Sequence, residues 1–499
     1  MSLALWQSIP LACVLLPLGS AALTAFLPGR WARRWCLLAL ALITGLSAVF
    51  VLRIWSFGRS YTYPMGHYPA PWGNELRAGP LEAAAGLVFA LVMLLSMLGG
   101  LGWLDRNIAE EKHALYCALM LLLCASLQAQ VYTNDLFTAY VFIEIMTLAA
   151  AVLIAVRSSG PALLAATRYM IMNLIASALF LLGVILLYDL TGHLLMEPIH
   201  IKVQELAASG AYHLPLTVVV AVMASGLAIK SALFPFHTWV PGAYGTSTPA
   251  SAAVLSGLVS KGYIFLLLKV FHRVIGLETI AQTGIGDVLL FFGLAGMICG
   301  SVAALSQCDL RRMLAWSSVA QIGYIFAGLG LGTEAGLSAA VVHMLAHAAC
   351  KSLLFISAGG LYTGESGDTD FSRLSGAALS APLAGAGFTI GALSIIGLPF
   401  LGGFTSKLAL AQAAAAIGGP GGWAVLICLI LSTLLNVLYF FRALLILWKR
   451  GETAPGHPPL THRTASGLAV TALSLLNFAI GVLAVPLLQL VRSGLGLLD

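Results

Sequence analysis

The sequence predicts an all-α integral membrane protein that crosses the bilayer about fourteen times. Hydrophobic residues make up 60% of its 499 residues, and charged residues only 9%. A soluble domain carries roughly 25% charged residues, so this chain has too little polar surface to face water on all sides. Long apolar segments also recur along the whole chain, and a membrane-spanning helix needs about 20 mostly apolar residues.

Polar or Gly/Pro segments separate the individual spans. The first apolar run is followed, not preceded, by arginines, which indicates a retained span and not a cleaved signal peptide. The run 378–417 is too long for one straight helix, and its Gly/Pro interruption predicts two segments in series. The predicted spans are 6–27, 36–56, 82–103, 114–131, 133–156, 166–190, 214–240, 249–272, 286–306, 312–331, 335–359, 378–417, 422–447 and 466–491.

Two spans contain prolines that should break the helix, because proline removes a backbone donor and frees carbonyls. The seventh span is interrupted around Phe234-Pro235-Phe236, and the twelfth is interrupted between Gly397 and Gly403. Because they lie five positions apart in the span order, an odd offset, the two broken helices run in opposite directions. Such a pair is typical of inverted-repeat transporters, although ordinary proline kinks are the alternative.

Positive charge is unevenly divided between alternate loops, and the richer set should be cytoplasmic. Both termini then face the outer, periplasmic side of the cell inner membrane, which agrees with an even number of spans. The net charge of +6 therefore indicates membrane orientation, and we expect no nucleic-acid partner. The richer set is Arg30, Arg33, Arg34, Arg106, Lys112, Arg157, Arg168, Arg311, Arg312, Arg373, Lys449, Arg450 and Arg463; the poorer set is Arg59, Arg77, Lys202, Arg273 and Arg492.

This organisation divides the chain into four parts: helices 1–3 in 1–110, a first inverted repeat of helices 4–8 in 111–275, a second of helices 9–13 in 276–450, and a last helix in 451–499. The eight cysteines form no CxxC and mostly lie in apolar runs, so we expect no disulfide and no metal site. Walker A, dinucleotide and haem-attachment motifs are absent from the sequence, so we expect no cofactor. Any redox or ATP energy would come from another polypeptide.

Ionisable residues lie inside the spans, where each charge costs roughly 2.5–3.5 kcal/mol on insertion scales. A single central carboxylate cannot neutralise every lysine, so some lysines must be neutral part of the time or face water. Desolvation favours the neutral amine, which makes a buried lysine suited to carrying protons. Fixed ion pairs that hold helices together are the alternative. The candidate residues are Glu144, Lys230, Lys261, His343, His347, Lys351 and Lys407.

The eleventh span carries His343, His347 and Lys351 at spacings of i, i+4 and i+8. Such residues stack on one helix face over about 12 Å of rise, which favours a proton relay. A zinc-binding histidine pair, or histidines that donate to neighbouring carbonyls, are the alternatives.

Three further expectations concern single side chains. Glu144 should form an ion pair with Lys230, directly or through one water, because both lie near the midplane. Lys269 and Arg442 lie near span ends and should extend their charges to the interface.

Four segments together resemble the proton-translocating antiporter-like family. This family includes the large membrane subunits of respiratory complex I, the A and D subunits of Mrp-type sodium/proton antiporters, and the matching subunits of membrane-bound hydrogenases. The segments are KSALFPFHTWVPGAYGTSTPASAAVLSGLVSKGY from Lys230, RMLAWSSVAQIGYIFAG from Arg312, HMLAHAACKSLLFISAGGLY from His343 and GLPFLGGFTSK ending at Lys407.

The resemblance implies fourteen helices, two inverted five-helix repeats and discontinuous seventh and twelfth helices. It implies that Glu144 and Lys230 form the pair controlling proton uptake, and that Lys261 is the central lysine of the eighth helix. His343 and His347 match relay residues of the eleventh helix.

Lys407 matches family members with a lysine in the twelfth helix and departs from the glutamate of one complex I subtype. This departure favours a subunit like the Mrp D subunit or a hydrogenase-type subunit. The resemblance implies a non-redox, proton-translocating subunit of a multi-subunit energy-converting complex. Its partners would be other membrane subunits, the lipid bilayer and protons, with sodium as a further candidate. A self-sufficient secondary sodium/proton antiporter is the alternative.

Overall fold

The computed structural model describes residues 5–68, 73–362, 369–450 and 463–497. Within these ranges, thirteen helices are long and apolar enough to cross a membrane. The predicted twelfth span is not among them because it forms two shorter helices in series. The predicted all-α membrane fold is therefore confirmed, and the predicted twelfth span corresponds to that broken pair.

The helices are, in order, α1 Ile9–Thr24, α2 Gly29–Phe57, α3 Pro80–Asn107, α4 His113–Tyr132, α5 Leu136–Ala155, α6 Gly160–Thr191, α7 Met196–Ala208, α8 His213–Lys230, α9 Val240–Thr246, α10 Pro249–Val254, α11 Ser260–Lys269, α12 Leu277–Thr283, α13 Ile285–Leu305, α14 Leu310–Gly330, α15 Glu334–Gly360, α16 Ala377–Ser380, α17 Pro382–Ile396, α18 Gly402–Ile417, α19 Gly419–Leu447, α20 Arg463–Val482 and α21 Ala484–Leu495. The π-helical turn Leu255–Val259 joins α10 to α11, and the π-helical turn Val270–Ile275 extends α11, so that one continuous helix spans Pro249–Ile275. Short 3-10 helices occupy Leu5–Ser8, Met65–His67, Glu110–Lys112 and Phe236–Trp239. Strands β1 (Tyr61–Pro64) and β2 (Glu75–Ala78) pair antiparallel, with Tyr61 opposite Ala78.

Both predicted helix breaks are present. In the seventh span α8 ends at Lys230 and α9 begins at Val240, while residues 397–401 separate α17 from α18. Each break holds a non-glycine residue in the left-handed region, Ala232 at φ 66° and Phe400 at φ 70°. Such backbone is costly and persists only where the surrounding structure imposes it.

The two repeats are visible in matched contacts five spans apart. Asp135 begins α5 and Asp309 begins α14, and each accepts the backbone N–H three residues later, at 2.6 and 2.8 Å. Each aspartate also forms an antiparallel bridge to the segment after the following helix. Asp135 pairs with Leu195 after α6, and Asp309 pairs with Asp370 after α15. These equivalent junctions support the inverted-repeat organisation.

A second matched contact overturns one expectation. Lys269 does not extend to the interface: it is fully buried, and its ammonium donates to three carbonyls at the C-terminus of α4. Arg442, five spans later on α19, donates to the Leu305 carbonyl (2.8 Å) at the C-terminus of α13. Both cations satisfy carbonyls that a helix end leaves without an intrahelical donor.

The predicted C-terminal end of the last span, 466–491, is wrong. Helix α20 stops at Val482, and a separate α21 packs against α3 and α15. Pro486 explains the interruption, because it has no N–H to donate to the Val482 carbonyl. The N-terminal arginines 30, 33 and 34 lie on α2 and not in a loop. The predicted last part, 451–499, begins in residues 451–462, which lie outside the described ranges.

Candidate functional site

The seven candidate residues lie on helices of both repeats. Glu144 is on α5, Lys230 ends α8, Lys261 is on α11 and Lys407 is on α18; the remaining three are on α15. Glu144 is half-buried, and the other six side chains are buried. None of those six faces lipid, and the structure brings them together as two neighbouring groups.

The first group surrounds Lys230. Its ammonium donates to the Thr147 hydroxyl (2.8 Å) and lies 5.3 Å from the centre of the Tyr263 ring. The Thr147 and Tyr263 hydroxyls are 3.3 Å apart. Tyr263 is two residues beyond Lys261 on the same helix, so this group reaches the helix that carries Lys261.

The direct form of the predicted Glu144–Lys230 ion pair is wrong. Within the described residues no nitrogen–carboxylate contact of 4.0 Å or less joins them. Thr147 lies one turn beyond Glu144 on α5 and is the direct partner of Lys230 instead. Glu144 still acts on Lys230 electrostatically, and its buried Oε1 has no hydrogen-bond partner in the described part of the chain. The carboxylate is thus a nearby counter-charge, not a contact partner.

Lys261 lies just after the π-helical turn Leu255–Val259. Its ammonium donates to the Ser256 carbonyl (2.5 Å) and to the Ser260 hydroxyl (3.2 Å). The Ser256 hydroxyl is 2.8 Å from that of Ser318 on α14, so the turn also links the two repeats. Single π-helical turns inside α-helices are frequent at functional sites.

The second group is built on α15. His347 interacts electrostatically with both Lys261 and Lys351, and Lys261 interacts with Lys351. The His347 and His343 rings stack with centroids 6.1 Å apart, and His343 Nδ1 is 2.8 Å from the hydroxyl of Ser406, which precedes Lys407. The two histidines therefore stack along one face of α15, as predicted. In the described ranges, no group of three or more His, Cys, Asp or Glu side chains is placed to hold a metal.

The two lysines of the second repeat turn towards different helices. Lys351 donates to the Leu314 carbonyl (3.0 Å) and to the Ser317 hydroxyl (2.9 Å) on α14. Lys407 donates to the Thr433 hydroxyl (3.2 Å) on α19 and to the carbonyl (3.2 Å) of Ile396, which is the last residue of α17 before the break. The broken helix thus supplies a free carbonyl to the lysine, as proline-interrupted spans are expected to do.

Sequence reasoning missed several polar partners of these lysines. Ser317 on α14 and Asn436 and Tyr439 on α19 are fully buried around them. Helical spacing was the signal that would have found some of them. Asn436 and Tyr439 are three residues apart on one side of an apolar span, as Thr147 is three residues from Glu144.

Comparison with known proteins identifies the family. A family model described as NADH:quinone oxidoreductase/Mrp antiporter, TM, matches residues 133–435, which is more than half of the chain. This chain belongs to that family. The N subunit of the NADH-quinone oxidoreductase of Desulforudis audaxviator (strain MP104C) is 35% identical over 454 residues, covering 90% of this chain and 88% of that protein. The D subunit of the Na(+)/H(+) antiporter of Bacillus subtilis (strain 168) is 28% identical over 462 residues, covering 92% and 90%.

Solved structures show the same fold over nearly the whole chain. A chain of the membrane-bound sulfane sulfur reductase, an archaeal respiratory membrane complex, superposes with a TM-score of 0.86 at 27% identity over 98% of both chains. A chain of the Mrp complex from Dietzia sp. DQ12-45-1b gives 0.85 at 24% identity over 99% and 97%, which supports the fold alone. Subunits of multi-subunit membrane complexes are therefore its relatives, and the predicted family resemblance is confirmed.

Proposed function

We propose that this subunit moves protons across the cell membrane through its buried lysines and histidines. One observation carries the proposal: six buried titratable side chains lie on helices of both repeats, although each charge in a membrane is costly. Fixed ion pairs do not explain them, because Lys230, Lys261 and Lys351 all donate to neutral hydroxyl or carbonyl groups. A neutral partner leaves each amine able to release its proton.

The residues take roles along one path. Glu144 and Lys230 admit the proton at the first repeat, and Lys261 passes it to the α15 group. His347 and His343 carry it on to Lys407. At each step the donor loses the proton that the next group gains, so no charge accumulates along the path.

The subunit acts with other membrane subunits, as its relatives do. Two of these relatives are the N subunit of an NADH-quinone oxidoreductase and the D subunit of an Na(+)/H(+) antiporter, and both belong to multi-subunit systems. Protons are the transported ion, and sodium is the counter-ion that an Mrp-type complex would exchange. The uneven distribution of positive charges along the chain supports termini on the outer side.

Reconstitution tests the proposal. The intact complex, purified through this subunit and placed in vesicles, should move protons when its driving reaction is started, as followed with a pH-sensitive dye. Lys407→Ala should abolish this movement. Full proton movement by Lys407→Ala would contradict the proposal, and sodium-dependent proton movement by the chain alone would support the self-sufficient antiporter instead.

Replacing the direct partner of Lys230 should slow transport. Thr147→Val removes one hydroxyl at nearly constant shape, so Lys230 loses its acceptor and the rate should fall about fivefold. Thr167→Val is the matched control, because Thr167 is an exposed helix threonine that donates only to the Leu163 carbonyl in the described structure. Initial rates per assembled complex measure both. Equal rates for the two variants would show that Lys230 does not depend on Thr147.

A further inference from the structure

A chain of hydrogen bonds joins two relay lysines without passing through the histidines. Lys351 Nζ is 2.9 Å from the Ser317 hydroxyl, which is 2.9 Å from the Tyr439 hydroxyl. The Tyr439 hydroxyl is 2.7 Å from the side chain of Asn436, whose amide is 3.2 Å from Lys407 Nζ. We call these five residues the amide wire.

The amide wire is sealed from solvent. Ser317, Tyr439 and Asn436 have no exposed surface, and they lie on α14 and α19, which carry none of the seven candidate residues. A buried polar group needs a partner, so each member must match its donor to its neighbour's acceptor. The titratable groups that face the two lysines of the wire are His343, His347 and Cys350 on α15, Lys261 on α11 and Tyr324 on α14.

The two ends of the Asn436 amide have nearly the same shape, so the amide can occupy the wire in two orientations, of which the second satisfies both of its ends. In one, Oδ1 accepts from the Tyr439 hydroxyl (2.7 Å) but also faces the Ser432 carbonyl (3.2 Å), and Nδ2 is the atom nearest Lys407. In the other, Oδ1 accepts from Lys407 (3.2 Å), and Nδ2 donates to Tyr439 (2.7 Å) and to the Ser432 carbonyl (3.2 Å). An ammonium can only donate, whereas a neutral amine can also accept. The second orientation therefore suits a charged Lys407, and the first suits a neutral one.

Each orientation favours one direction for the other hydrogen bonds of the wire. When Lys407 is charged, Asn436 donates to Tyr439, Tyr439 donates to Ser317, and Ser317 is left to donate to a neutral Lys351. When Lys351 is charged it donates to Ser317, and every donor in the wire points the other way, ending with Asn436 donating to a neutral Lys407. With both lysines charged, Ser317 accepts from both Lys351 and Tyr439, and its own buried hydroxyl hydrogen has no acceptor within the wire.

We infer that the amide wire couples the charges of Lys351 and Lys407, so that the two amines share one proton and Asn436 rotates when that charge moves. This inference rests on the proposed function. When the charge passes, Lys351 loses one proton and Lys407 gains one by way of the histidines. Ser317, Tyr439 and Asn436 keep all their hydrogens and only reorient. Ser317 and Tyr439 thus act as positioning residues that make the transfer one-for-one.

Breaking the wire at its centre tests the inference. Tyr439→Phe removes a single oxygen, so the link between the lysines is lost and proton transport by the intact complex should fall about tenfold. Tyr116→Phe is the matched control: Tyr116 is equally buried, with hydroxyl contacts to Thr248 (3.2 Å) and Ser251 (3.1 Å) away from the wire. This control should transport at the wild-type rate.

Two further variants separate coupling from packing. Ser317→Ala should match Tyr439→Phe, whereas Ser317→Thr keeps the hydroxyl and should restore most of the rate. Because the wire works as a unit, the double variant Ser317→Ala/Tyr439→Phe should lose about tenfold in all, whereas independent losses would multiply. If these residues only support packing, the two losses of transport rate should multiply, and Ser317→Thr should not restore the rate.

The outcomes distinguish failure of this inference from failure of the proposed function. If Tyr439→Phe transports protons at the wild-type rate while Lys407→Ala does not, the inferred coupling is refuted and the proposed proton path stands. Multiplying losses in the double variant would also overturn the coupling. Transport that survives Lys407→Ala would instead refute the proposed function.

Discussion

A complex carrying Lys261→Arg should assemble normally and lose proton transport by at least about a hundredfold. Arginine keeps the positive charge but cannot release a proton in this pH range. If Lys261 were only a structural cation, arginine would preserve its function. Initial rates of proton movement in vesicles, normalised to assembled complex, are the measurement.

The surroundings of Lys261 explain the size of this effect. Its side chain has no exposed surface, and its amine contacts the Ser256 carbonyl and the Ser260 hydroxyl. It also interacts electrostatically with Lys351. Two neighbouring buried lysines are poorly able to hold two charges at once, so a proton on one favours release from the other. An arginine fixed at this position would keep that charge permanently and block the exchange.

Lys261→Met provides a second test, because it keeps the length of the side chain and removes the amine. It should also abolish transport while the complex assembles. This variant decides the question if the larger arginine impairs assembly. Near wild-type proton transport by either variant would show that Lys261 does not carry protons along the path.

Lys269→Met should destabilise the protein by about 3–5 kcal/mol, because it removes one partner of a buried charged contact. The Lys269 ammonium donates to the carbonyls of Gln130 (3.3 Å), Val131 (3.1 Å) and Thr133 at the C-terminus of α4. Without it, these buried acceptors lose their donor, and each unsatisfied group costs about 1–3 kcal/mol. The melting temperature and the yield of assembled complex should both fall.

Two control variants test this explanation of the stability loss. Lys269→Arg keeps a cation with several donors and should recover much of the lost stability. Lys202→Met removes a lysine of the exposed pair with Glu205, in which the side chains are 47% and 59% exposed, and should change stability little. A wild-type melting temperature for Lys269→Met, together with lost transport, would place Lys269 in the proton path and not in the scaffold.

Lys261 and Lys269 lie eight residues apart on one continuous helix, yet the sequence predicts different surroundings for them. Lys261 is central in its span, which predicts a buried amine, whereas Lys269 is near the span end, which predicts an amine at the interface. Both are fully buried. Position along a span indicates depth in the membrane, but it does not reveal the neighbour that a side chain meets.

The sequence alone determined the membrane fold, the spans with their two breaks, and the family. These follow from local features, since an apolar run of about 20 residues or an internal proline acts on the segment that contains it. The end of the last span was the exception, because the proline at 486 lies within an apolar run that otherwise continues.

Only the tertiary structure decided which groups touch. Thr147 contacts Lys230 in place of Glu144, the α4 carbonyls accept from Lys269, and Ser317 accepts from Lys351. The physical reason is that a contact between spans depends on the rotation and relative height of two helices. These are set by the packing of all their neighbours, so a pattern within one span cannot supply them.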